Sequence, residues 1–125
     1  MMRGYQDLEV WRKSMELAAE CYRVTQRWPR AEVFGLTLQL RRAVVSVPAN
    51  IAEGRGRRST KDFLRFLSIA YGSLTEVETY FQLAERLGYL APPETERLMA
   101  SAGEIGRMLN GLRASLRSRL KPEDR

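Results

Sequence analysis

A chain of 125 residues with a net charge of +6, no histidine and one cysteine excludes more functions than it points to. Without histidine it lacks the usual general base at neutral pH, the commonest metal ligand and any Ser-His or Cys-His nucleophile pair, while Cys21 alone forms no intramolecular disulfide and argues for a reducing, cytoplasmic setting. Hydrophobic residues at 44% and charged residues at 29% fit one globular domain, no run of about 18 apolar residues offers a membrane span, and the positive excess favours polyanionic partners.

The opening residues, Met1-Met2-Arg3-Gly4-Tyr5-Gln6-Asp7, lead into a charged amphipathic segment, which is unlike a signal peptide. From Asp7 to Arg27, the residues Leu8, Trp11, Met15, Ala18 and Tyr22 recur at steps of three and four, the signature of one helix face. Leu17, Cys21, Val24 and Trp28 lie off that stripe. So wide an apolar arc calls for a second burial surface between subunits, or else an unusually broad core stripe.

Trp28-Pro29 ends the first helix, and Pro29 suits the opening of a second, predicted from about Arg30 to Gly54. Its apolar positions are Phe34, Leu36, Leu40, Val44, Val47 and Ile51. The β-branched run "VVSV" (Val44 to Val47) reads as a buried strand in isolation, but it is short and has no partner strand. Pro48 withholds an amide from the Val44 carbonyl, so a kink is expected there. Gly54 is expected to end the helix in a left-handed cap, with Gly56 letting the chain turn.

Ser59 or Thr60 caps the third helix, with Asp62 in its first turn. Phe63, Leu67, Ala70, Leu74, Val77, Phe81 and Ala84 then alternate steps of four and three, the spacing of nearly aligned helix packing, and Gly88 closes the run. Ala91-Pro92-Pro93-Glu94 opens a fourth helix carrying Leu98, Ala102, Ile105, Leu109, Leu112 and Leu116. Four helices with short joints predict an all-α, antiparallel up-down four-helix bundle. It forms one domain over residues 1–120, with a charged, frayed tail over 121–125.

Chemistry-bearing patterns are sparse. A di-metal bundle needs inward carboxylates with Glu-x-x-His pairs; here Glu76, Glu78 and Glu85 read as solvated or paired with arginines. Gly54-Arg55-Gly56 lacks the spacing and the strand-to-helix context of a phosphate loop. No catalytic residue, metal ligand or cofactor site is predicted. Charge is more informative: from Arg41 to Arg65 there are seven basic residues and two acids, a local excess of +5. Arg55, Arg57, Arg58 and Lys61 fall at one bundle end beside the start of the third helix, and Arg65 extends them by one turn. Guanidinium pairs beside a helix N-terminus suit phosphate oxygens; a merely solvated, solubilising corner is the competing reading. Arg107, Arg113, Arg117, Arg119 and Lys121 form a second set, where cations also complement a helix C-terminus. With no aromatic platform beside either set, binding would follow backbone charge rather than base sequence. Asn50 and Glu53 are either exposed polar residues or partners that satisfy groups freed by Pro48 and hold Arg42 or an arginine of a neighbouring subunit.

"DLEVW" (Asp7 to Trp11), "GLTLQLRRAVVSVPANIAEGRGR" (Gly35 to Arg57), "FLRFLSIAYGSLTEVET" (Phe63 to Thr79) and "LGYL" (Leu87 to Leu90) resemble the bacterial four-helix-bundle family labelled rRNA intervening-sequence proteins, or ribosomal-protein-like. The resemblance spans nearly the whole chain. It implies a homopentameric barrel around a central channel, without catalytic residues. It also implies similarity to the accessory variability proteins of diversity-generating retroelements, basic pentamers that bind nucleic acid and a reverse transcriptase. The resulting expectation is a non-enzymatic, homo-oligomeric scaffold whose Arg55, Arg57, Arg58, Lys61 and Arg65 contact RNA or DNA phosphates. The alternative is a protein-interaction adaptor or structural oligomer.

Overall fold

The apolar repeats fold as four helices. A computed structural model describes residues 4–124. A 3-10 turn at Gly4–Asp7 leads into α1 (Glu9–Thr25), and a second at Arg30–Glu32 precedes α2 (Leu36–Arg55). α3 (Thr60–Arg86) and α4 (Pro92–Arg117) follow, before a last 3-10 turn at Pro122–Asp124. Met1 to Arg3, part of the stretch read against a signal peptide, and Arg125, the end of the charged tail, lie outside the described residues. Among the described residues there is no strand, and "VVSV" lies within α2.

Pairs across the joints run in opposite senses, so the order is antiparallel, up and down. Ser46 and Ser73 share a hydrogen bond of 2.9 Å between α2 and α3, and Arg113 of α4 lies over the Tyr71 ring of α3. Lys13–Glu104 at 3.2 Å and Glu20–Arg97 bridge α1 to α4, and Arg27, in the turn after α1, pairs with Glu94 of α4. These ion pairs are part-exposed and each adds only about 0–1 kcal/mol, so apolar burial holds the bundle together. Leu67, Ala70, Val77, Phe81 and Ala84 are fully buried from α3, against Leu98, Ala102 and Leu109 of α4 and Ile51 of α2.

Three expectations change. In α1 the second arc carries the deeper burial: Leu17, Cys21 and Val24, with Trp28 just after the helix, are buried. Of the expected stripe, Ala18 is buried, Leu8 and Trp11 are part-buried, and Met15 and Tyr22 are 45% and 42% exposed. Two overlapping arcs of similar apolar content leave the core-facing direction to the neighbouring helices. Helix two begins at Leu36 rather than Arg30, because Glu32 Oε1 accepts from the Leu36 amide at 2.9 Å and caps the helix there. Phe34 therefore sits in the preceding turn and is 87% exposed instead of joining the core.

The end of α2 differs too. Gly54 lies inside the helix with no positive φ, and the cap at Gly56 is right-handed, with φ −80°. Gly54 serves packing: a Cβ there would stand 2.7 Å from Phe66 Cβ and 2.9 Å from Phe63 Cδ1. A left-handed glycine instead closes α3: at Gly88, φ +80°, Tyr89 donates back to the Ala84 carbonyl at 2.8 Å and Gly88 to that of Glu85 at 3.0 Å. Ser59, rather than Thr60, caps α3, accepting from the Asp62 amide at 3.0 Å. α2 runs through Pro48 without interruption.

Candidate nucleic-acid interface

The end of α2 and the start of α3 gather the expected basic residues at one corner. Arg58 and Lys61 are exposed, and neither has a partner among the described residues. Arg57 and Arg65 are organised instead. Their guanidinium carbons lie 4.9 and 4.6 Å from the centre of the Phe66 ring, and Arg57 also pairs with Glu53 at 2.7 Å. Stacking restrains two otherwise mobile side chains while leaving donors available. The capped first turn of α3 adds the positive end of the helix dipole to the same corner. Arg55 is half-buried on the last turn of α2.

Antiparallel packing brings the second basic set to this end as well. Arg113 lies over Tyr71 at 5.6 Å and donates to Asn110 Oδ1 at 3.1 Å, while its Nε is buried without an acceptor among the described residues. One turn further out, Arg117, Arg119 and Lys121 are exposed, followed by the acids Glu123 and Asp124. Arg107 is exposed further back along α4.

Of the two readings of the polar residues beside Pro48, Glu53 follows the exposed one, while Asn50 is half-buried. Asn50 Nδ2 donates to the Ser46 carbonyl at 2.8 Å and to Ser46 Oγ at 2.9 Å, rather than to the Val44 carbonyl that Pro48 leaves. Glu53 turns to Arg57, not to Arg42. Arg42 has no partner among the described residues and lines a groove of about 240 Å³ with Gln39, Ser46, Ser73, Glu76 and Tyr80.

Elsewhere, burial chiefly, with Glu20 second, pushes the Cys21 thiol up to about 12, so it is not a ready nucleophile at neutral pH. No cluster of three or more potential metal ligands forms among the described residues, and no described helix is long and apolar enough to cross a membrane. Sequence reasoning missed Phe66 as the platform for Arg57 and Arg65, and with it the meeting of the two basic sets. Neither had a local signal, since both depend on how the helices pack.

A family model described as 23S rRNA-intervening sequence protein matches residues 6–111. A solved structure from Bacteroides thetaiotaomicron, a protein of unknown function from the S23 ribosomal protein family, is similar with a TM-score of 0.77 and 27% identity. The likeness covers 82% of this chain and 96% of that one. No curated protein sequence matches the chain.

Proposed function

The chain belongs to the family of 23S rRNA-intervening sequence proteins, and from that premise we propose that it is a non-enzymatic, homo-oligomeric basic scaffold binding RNA or DNA through phosphate contacts. The observation that carries this reading is the corner itself: Arg58 and Lys61 free of internal partners, Arg57 and Arg65 held on Phe66, and a capped helix N-terminus between them. Arg57, Arg58, Lys61 and Arg65 are all exposed.

Self-association is supported by an apolar strip on the outer side of α1 and α2. Met15, Tyr22 and Val45 are exposed there, and Tyr5, Trp11, Pro48 and Ala49 adjoin them. Five copies is the number that the family resemblance implies. The family's description names 23S rRNA, which makes a fragment of that RNA the first probe. Filter binding should weaken roughly tenfold for each doubling of salt if about four phosphates are neutralised. Binding that ignores salt, or none at low salt, removes the proposal.

A second reading, an adaptor for a reverse transcriptase or another protein, is favoured by the groove in which Arg42 and Glu76 stand without partners among the described residues. Pull-downs with and without nuclease separate the two. Capture that survives nuclease supports the adaptor, and capture that nuclease abolishes supports the nucleic-acid scaffold.

A further inference from the structure

The corner shows not only where phosphates would bind but which form of nucleic acid offers them suitably. Single-strand binders use exposed aromatic faces on which bases stack, each worth about tenfold or more in affinity. Here the rings near the basic end are occupied. Arg57 and Arg65 lie over Phe66, and Arg113 lies over Tyr71. Tyr5 and Trp11 pack edge to face, 5.1 Å apart, on the α1–α2 side over Pro48, Ala49 and Ala52.

The cations also fall into two clusters on a rigid frame. One comprises Arg57, Arg58, Lys61 and Arg65, and the other comprises Arg117, Arg119 and Lys121 at the end of α4. They lie at the same end of the bundle, on the neighbouring packed helices α3 and α4 and the turns that flank them. A double helix presents two phosphate backbones side by side, one for each cluster, whereas a single strand presents one.

Building on the phosphate-binding reading above, we infer that this end grips a double helix, RNA or DNA, by its two backbones, in preference to a single strand. The test is a fluorescence-anisotropy titration of the full chain at low salt. The probes are a labelled RNA duplex and each of its unpaired strands, with DNA counterparts alongside. The duplexes should bind about tenfold more tightly than their strands. Strands bound as tightly as the duplex, or more tightly, overturn the duplex preference while leaving phosphate binding in place; no binding by any probe overturns both. The pair Arg117→Gln and Arg119→Gln, at exposed positions, should lower the salt slope for duplex by about two. An unchanged slope overturns the two-cluster grip.

Discussion

At Gly54 a missing methyl group sets how closely α2 and α3 approach. An added Cβ would also stand 3.3 Å from the Phe63 carbonyl oxygen, so backbone as well as rings would have to move. Gly54→Ala should therefore cost about 1–3 kcal/mol by denaturant unfolding. Gly72→Ala, at an exposed mid-helix position with nothing within 4 Å, should gain about 0.5–1 kcal/mol. Equal effects at the two sites would remove the packing explanation. Glu32 provides a pH test. The Leu36 amide, then the Tyr89 hydroxyl, hold its carboxyl below the ordinary 4.5. A depressed carboxyl stabilises the fold above its unfolded value and loses that contribution as pH falls through the native one. Glu32→Gln should therefore melt below wild type at neutral pH, with the gap narrowing as pH drops below 4.5. A gap that widens in acid would contradict the cap. Glu32 had not been singled out from the sequence, and Gly54 had been read as a helix end, because each acts through an atom brought close by folding.

At the scale of elements, periodicity was most legible where one face alone is apolar. α3 and α4 bury the expected positions from Leu67 to Ala84 and from Leu98 to Leu116, save Leu112, which like Phe63 is half-buried. α1 was misread because two arcs compete, and the start of α2 because its capping group comes from Glu32, four residues ahead of the amide it serves. Local stop signals were mixed. Gly88 closes α3 as expected, with both reverse hydrogen bonds formed, whereas Gly54 reads identically in one dimension and does a different task. The Ser59 cap gives a test at this scale. Ser59→Ala should cost about 1 kcal/mol in thermal or denaturant unfolding, and Ser59→Asp should restore most of it. The helix start also borders the basic corner, so this pair of variants separates a stability effect from a binding effect.

At the scale of the molecule, the outer strip of α1 and α2 and the basic end make separate demands. Met15 and Val45 are 45% and 43% exposed, so Met15→Glu with Val45→Glu should leave the monomer's helicity intact. In light scattering the same pair should lower the oligomer mass, since buried charge at a subunit contact is strongly unfavourable. An unchanged mass would move the contact to another face. The helical class, the four segments, the basic excess and the lack of a histidine-based site all follow from residue type and spacing along the chain, because periodicity and charge are local quantities. Which arc of α1 faces inward, why Gly54 has no side chain, how Phe66 orders two arginines, and that the α4 terminus joins the α2–α3 corner are matters of tertiary packing. Those outcomes depend on distances between residues far apart in sequence, and only the closed bundle sets such distances.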